Sequence, residues 1–199
     1  MSIRQVSRII GGSLAMATWV LVAQAPAFGA EQAVWVKTKI NFTYQGFTTT
    51  YSCQGLEDTM RNILAQLGAR ESDMKLTQSA CPGGPNGPSP FPTLVGTFYR
   101  LEPAAAPENA QNAQPEQNAS AVPASWQTVN VSISRSGRDG PGTCELIDLV
   151  HKKVLPLFPT RNVKFQSTCF PHTQLTKGST LQVDVLKPAS GSHVASAAE

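Results

Sequence analysis

Apolar residues alternate with polar ones early in the chain, and an apolar stripe with helical spacing follows. The alternating positions are Val36, Thr38, Ile40, Phe42 and Tyr44. Their period of two predicts a half-buried strand. The stripe consists of Leu56, Met60, Ile63, Leu64 and Leu67. This spacing gives one apolar helix face, and Gly68 predicts the C-terminal end of the helix.

The same order of patterns recurs in the second half of the chain. The alternating positions there are Val129, Val131 and Ile133. The helical stripe is Ile147, Val150, Val154 and Leu155. Thr143 is the expected N-cap of this second helix, and Pro156 is expected to limit it.

The two halves also align residue by residue. Residues 35–64 and 126–155 align without a gap over 30 positions. The identical pairs are Trp35/Trp126, Gly46/Gly137, Cys53/Cys144 and Leu64/Leu155. Further likeness between 74–82 and 163–171, and between 93–103 and 180–188, predicts two more strands in each half.

These patterns predict an α+β fold made by internal duplication of a β-α-β-β unit. The copies span residues 30–101 and 126–188 and have one helix each, and together they form a two-layer sandwich of sheet and helices. Residues 102–125 contain one Val and no aromatic residue and are rich in Ala, Pro, Asn and Gln. This composition predicts a flexible low-complexity linker, and the tail at 189–199 is expected to be disordered.

The N-terminus has the layout of a Sec-type secretory signal peptide over residues 1–29. Arg4 and Arg8 precede an uncharged apolar stretch, and small residues follow at the expected cleavage sites after Ala27 or Gly29. The alternative is an uncleaved membrane anchor, but the stretch is shorter than the roughly 20 residues that a membrane span needs. We therefore expect a periplasmic or secreted protein with no membrane span after cleavage.

Removal of this segment changes the charge balance. The chain has 16 Lys+Arg and 13 Asp+Glu, and residues 1–29 contain two Arg and no acid, so 14 basic and 13 acidic residues remain. The basic residues are scattered along the sequence, without a run or interleaved aromatic residues, which predicts no nucleic-acid partner. A hydrophobic fraction of 41% excludes an intrinsically disordered chain.

Four cysteines in an exported chain indicate disulfides. The duplication favours the pairs Cys53–Cys81 and Cys144–Cys169. In each copy one cysteine begins the helix and the other ends the next strand, and a right-handed crossover brings these two points to the same edge of the sheet. The sequence has no Cys-x-x-Cys and no closely spaced ligand pair, so a redox centre or a zinc site is less favoured. We expect no metal and no cofactor.

Candidate catalytic residues are few. His151 lies on or beside the apolar face of the second helix, and His172 lies in a loop beside Cys169. Neither has a nucleophile or a patterned carboxylate nearby in sequence. The favoured function is therefore an exported, disulfide-stabilised, non-enzymatic binding or structural module whose partner is a protein or another envelope component. The alternative is a periplasmic or secreted hydrolase with His172 or His151 at the cleft between the copies.

The tryptophans are candidates for an interaction surface. Trp35 and Trp126 have the opposite strand parity from the core-facing residues that follow them, so regular strands would direct both rings away from the helices. An aromatic docking surface is one interpretation. The other is that the linker or an irregular strand buries the rings.

Overall fold

The computed structural model describes residues 31–46, 50–81, 83–104, 113–115, 120–133, 143–167 and 179–189. The strands are β1 (Glu31–Thr43), β2 (Tyr51–Ser52), β3 (Lys75–Ala80), β4 (Pro88–Ser89), β5 (Thr93–Pro103), β6 (Ala113–Pro115), β7 (Val122–Asn130), β8 (Thr160–Gln166) and β9 (Thr180–Pro188). The helices are α1 (Cys53–Gln66) and α2 (Thr143–Leu149), which continues into a π turn (Val150–Val154) and a 3-10 turn (Leu155–Leu157). A further 3-10 turn spans Glu71–Asp73. The predicted signal peptide and residues 190–199 lie outside the described residues.

The protein is a mixed α+β fold with a mostly antiparallel sheet and few helices. The large sheet has the order β3-β5-β1-β7-β9-β8, and each neighbouring pair is antiparallel. The three-residue strand β6 also pairs with β1, and β2 pairs with β4 in a separate two-stranded sheet.

Two three-stranded parts of the large sheet meet at a short junction. β1 pairs with β5 from Ala33 to Thr43 without a shift in register. Its contact with β7 is much shorter, with Glu31 opposite Ala124 and Ala33 opposite Val122. The first part (β3, β5 and β1) and the second part (β7, β9 and β8) therefore overlap only where β1 and β7 begin.

Both helices pack on the same face of the large sheet. The buried core contains the predicted stripe of α1, the predicted stripe of α2, and the strand residues Ile40, Phe42, Leu94, Phe98, Val183 and Val185. The even-numbered positions of β1 from Val36 to Phe42 are all buried, as their alternation predicts. One face of the sheet is thus covered by helices, and residues of the opposite parity lie on the other face.

Helix α1 begins and ends at the expected residues. The Ser52 hydroxyl accepts a hydrogen bond from Gly55 N at 3.0 Å, which caps the N-terminus. At the other end Gly68 has φ +94°, and Ala69 N donates to Leu64 O at 2.9 Å. This Schellman arrangement requires the left-handed conformation that glycine adopts without strain.

Gly68 also approaches the second part of the sheet, which leads to a stability prediction. A Cβ at this position would lie 2.8 Å from Leu186 O, whereas a Cβ at Gly84, which has φ +76°, would meet nothing within 4 Å. We expect Gly68→Ala to lower the free energy of unfolding by about 2 kcal/mol, because backbone strain and a steric clash combine. Gly84→Ala introduces backbone strain without a clash and should lower the free energy of unfolding by about 1 kcal/mol. If chemical denaturation showed the same loss of unfolding free energy in both variants, the close approach of Gly68 to Leu186 would be contradicted.

The predicted disulfide between Cys53 and Cys81 is confirmed, with the two Cα atoms 6.0 Å apart. Cys53 begins α1, and Cys81 directly follows β3, as the crossover argument requires. This bond is compatible with an oxidising, exported location. Cys169 lies outside the described residues, so the Cys144–Cys169 bond stays a prediction.

Strands extend further into residues 102–125 than the composition of that segment indicates. β5 continues to Pro103, β7 begins at Val122, and Ala113–Pro115 forms β6. Backbone pairing with β1 supplies the hydrogen bonds here, and this pairing does not require apolar side chains. The remaining residues of the predicted linker, apart from 104, 120 and 121, lie outside the described residues.

Candidate functional site

We use the term open face for the side of the large sheet opposite the helices. Strand register assigns residues to it: Trp35 lies opposite Leu101, Lys39 opposite Thr97, and Trp126 opposite Leu186. Its principal residues are Trp35, Lys37, Lys39, Asn41, Lys75, Thr77, Thr97, Tyr99, Leu101, Trp126, Thr128, Arg161, Lys164, Asp184 and Leu186. Many of these side chains are exposed.

A small apolar cluster lies at the centre of the open face, separate from the main core. Its buried members are Ala33, Leu101, Ala124 and Leu186. Trp35, Val122 and Trp126 pack against them and are themselves partly buried. The cluster forms at the junction of β1 and β7, where small residues allow the two parts of the sheet to approach. The tryptophans therefore lie on the open face, as their parity predicts, and contribute to its packing.

An arginine stacks on each tryptophan. Arg70 Cζ lies 4.9 Å from the Trp35 ring centroid and 4.6 Å from that of Tyr99. Arg161 Cζ lies 3.9 Å from the Trp126 ring centroid. Such cation–π contacts contribute about 0.5–1 kcal/mol at exposed sites.

The chain places the two arginines in equivalent positions. Arg70 precedes β3, and its backbone N donates to Tyr99 O of β5 at 2.9 Å. Arg161 is on β8, opposite Asp184 of β9. Acidic partners also hold them: Arg70 Nε lies 2.6 Å from Asp73 Oδ2, and Arg161 Nη2 lies 3.9 Å from Glu31 Oε2. The second contact joins the two parts of the sheet.

Three exposed lysines occupy the open face of the first part of the sheet. Lys39 and Lys75 both lie opposite Thr97, one on each side of β5, and Lys37 lies two residues from Lys39. Among the described residues, no acidic side chain lies within 4.0 Å of any of the three. Within the described ranges, this corner of the face is therefore positively charged.

The open face of the second part is different. Asp184 accepts hydrogen bonds from Thr128 Oγ1 and Asn162 Nδ2, each at 2.6 Å. These bonds, together with nearby Lys164, lower the pKa of the Asp184 carboxyl. The carboxylate offsets the positive charge that Lys164 and Arg161 bring to this region.

The surroundings of His151 give little support to a catalytic role. The His151 ring stacks on Phe165 with centroids 4.1 Å apart, and His151 Nδ1 has no hydrogen-bond partner among the described residues. The stacked ring is consistent with a packing role. His172 lies outside the described residues, so its catalytic role stays a prediction.

A partly buried polar contact links the residue that follows β1 to α2. The Tyr44 hydroxyl donates to Glu145 Oε2 at 3.2 Å, and the Tyr44 and Tyr51 rings meet edge to face with centroids 4.8 Å apart. Burial raises the pKa of the Tyr44 phenol well above its usual value, and the negative charge of Glu145 adds to this effect. Burial raises the pKa of Tyr51 as well, with a further contribution from Glu145.

This contact gives the fold a pH dependence at the alkaline end. A phenol whose pKa is raised in the folded state stabilises the fold fully below its unfolded pKa of about 10 and loses that contribution as the pH rises further. We expect the free energy of unfolding to fall above pH 10, by at most about 1.4 kcal/mol per pH unit for each tyrosine. In denaturation series from pH 8 to 11, Tyr44→Phe should reduce this slope. An unchanged slope would contradict the assignment to Tyr44.

Other site types receive no support from the described part of the chain. No group of three or more His, Cys, Asp or Glu residues there is arranged to hold a metal ion. No helix in the described ranges is long and apolar enough to cross a membrane.

No protein-family model matches this sequence, and comparisons with curated proteins and with solved structures likewise find no match.

Strand parity predicted the face on which the tryptophans lie, but the sequence analysis did not single out the basic residues around them. Lys37 and Lys39 share the parity of Trp35, which is visible in the sequence. Arg70 and Arg161 each follow their tryptophan by 35 residues, so extending the gapless alignment would have paired them. Lys75 joins the group because β3 lies on the far side of β5, and local sequence does not specify that order.

Proposed function

We propose that the protein is an exported, non-enzymatic binding module, built from two β-α-β-β copies, that acts through its open face. The observation that carries the proposal is the pair of Trp–Arg stacks on the side of the sheet that the helices leave uncovered. In a two-layer fold, large aromatic residues are usually buried in the core between the sheet and the helices. Here Trp35 and Trp126 pack on the opposite face, and an arginine stacks on each of them.

The strand register supports the duplication. Read outward from the junction, the first half has the strand order β1, β5, β3 and the second half has the order β7, β9, β8. In both halves the first strand of the copy lies at the junction, its last strand lies next, and its middle strand lies at the outer edge. A twofold axis between Gln32 and Pro123 would exchange the pair Glu31/Ala124 with the pair Val122/Ala33. Two hydrogen bonds obey the same symmetry, because Ala104 N donates to Gln32 O and Ala189 N donates to Pro123 O, each at 2.9 Å.

The tryptophan stacks suit a binding surface because they are preorganised. Each guanidinium stacks on a ring and has an acidic neighbour, Asp73 for Arg70 and Glu31 for Arg161, so a ligand would meet side chains whose conformations are already restricted. Preorganisation lowers the entropic cost of association. No described contact gives comparable support to the hydrolase alternative.

Photo-crosslinking in the producing cells tests this proposal. A diazirine amino acid is placed at Asn41, which is exposed on the open face, and as a matched control at Asp58, which is exposed on α1. A diazirine inserts into C–H bonds and therefore captures proteins and polysaccharides alike. We expect a defined adduct from Asn41 and none from Asp58. Adducts from both positions, from Asp58 alone or from neither position would contradict the proposal.

A further inference from the structure

The fold concentrates positive charge that is dispersed in the sequence. On the open face of the first part lie Lys37, Lys39 and Lys75, together with the stacked Arg70. We call the three lysines the lysine triangle. Three acidic residues of the same half lie away from them, on the helix side: Glu57 binds Arg61, and Asp58 and Glu71 line the groove beside α1. A chain whose overall charge is close to neutral therefore has a local cluster of positive charge on the open face.

We infer that the lysine triangle binds an acidic polysaccharide; this inference rests on the proposed function and specifies its ligand. Lys39 and Lys75 are two strands apart, so their Cα atoms are about 10 Å from each other, and Lys37 is about 7 Å along the strand from Lys39. Three cations at these intervals on an exposed surface match a chain of repeating carboxylates better than one isolated anion.

The shape of the surface favours a polymer. Small ligands bind in concave sites that bury most of their surface, whereas the triangle lies on a sheet face built from β1, β5 and β3. Short polar side chains lie among the lysines, namely Thr77, Thr97 and Asn41. Their hydroxyl and amide groups can bond to sugar hydroxyls while the lysines pair with the acid groups.

Other anionic macromolecules fit this surface less well. Single-stranded nucleic acids stack bases on aromatic rings, but the Arg70 guanidinium already lies over the rings of Trp35 and Tyr99. Stable anchoring to a membrane surface needs apolar insertion in addition to the cations. The large apolar residues that are exposed in the described ranges are Phe91 and Val163, and neither is in the first part of the open face. An acidic peptide strand would bind a sheet edge through its backbone, whereas the triangle faces outward from the sheet.

The test compares two double variants of the mature, oxidised chain. Lys37→Gln/Lys39→Gln removes two cations of the triangle. Lys152→Gln/Lys153→Gln removes two exposed cations from the helical layer and is the matched control. Polygalacturonate oligosaccharides are the probe in calorimetric titration at low salt. Neutral dextran, poly-glutamate, single-stranded oligonucleotide and anionic phospholipid vesicles are the comparison ligands.

We expect the oligosaccharide to bind, with affinity that falls as salt increases. The triangle variant should bind about tenfold more weakly, because two ion pairs are lost, and the control variant should stay within twofold of the wild type. Absence of binding, equal losses in both variants, or tighter binding to any comparison ligand would overturn the inference. If the inference fails while Asn41 still crosslinks selectively, the proposed function stands with a different ligand; if both fail, the open face is not the binding surface.

Discussion

Phe98→Ala is expected to lower the free energy of unfolding by about 3–5 kcal/mol, which is the range for removing a buried aromatic side chain. Phe98 lies on β5 and is fully buried. Its ring stacks on that of Phe158, with centroids 5.2 Å apart and planes inclined by 21°. The substitution therefore removes both apolar burial and a contact between the first half of the chain and the second.

The consequence extends to how the protein unfolds. Residues of both halves belong to one buried core, so the Phe98→Ala variant should still unfold in one transition, with its midpoint shifted and its denaturant dependence unchanged. Phe91→Ala is the matched control, because that ring is 59% exposed and its loss should change stability by less than about 0.5 kcal/mol. Two separate transitions, or equal losses in the two variants, would contradict a shared core.

Removal of the Cys53–Cys81 disulfide should have an effect of similar size. The bond closes a loop with a sequence separation of 28, and the chain-entropy model gives about 3.5 kcal/mol for a loop of this length. We expect Cys53→Ala/Cys81→Ala to lower the free energy of unfolding by about that amount. Alanine is preferred to serine because Cys53 is fully buried and a hydroxyl there would incur a desolvation cost.

The same variant tests the predicted second disulfide. Adding reductant to Cys53→Ala/Cys81→Ala can affect only Cys144 and Cys169, since these are the remaining cysteines of the chain. If they are bonded to each other, reductant should destabilise the variant further and by a comparable amount. Unchanged stability under reductant, with both thiols alkylated before its addition, would contradict the Cys144–Cys169 bond. Stability unaffected by the double substitution itself would contradict a structural role for Cys53–Cys81.

The features that sequence predicted are those that depend on local patterns. The period of two identified β1 and assigned Trp35 to the face opposite Ile40 and Phe42, because a strand alternates sides by geometry alone. The apolar stripe predicted α1 and Gly68 predicted its C-terminal end, because both signals also depend on residues that are close together in the chain. The Cys53–Cys81 pairing followed from one crossover between neighbouring elements.

Features that depend on distant contacts could not be obtained in this way. Strand order is set by pairings between residues far apart in the chain, such as Lys75 with Thr97 and Glu31 with Ala124. The lysine triangle needs that order, since Lys75 reaches the other two lysines only across β5. Strand β6 also escaped prediction, because it is held to β1 through its backbone and its composition carries no signal of that pairing.

Mapping of backbone amide chemical shifts during titration locates the bound ligand, and it therefore tests whether the open face of the first part of the sheet is the binding surface. The mature protein would be titrated with polygalacturonate oligosaccharide while shifts are followed along β1, β3, β5, α1 and α2. We expect the largest changes to cluster around the lysine triangle and the neighbouring residues of β5, with both helices nearly unaffected. Changes concentrated on α1 or α2, or spread evenly over the chain, would contradict it.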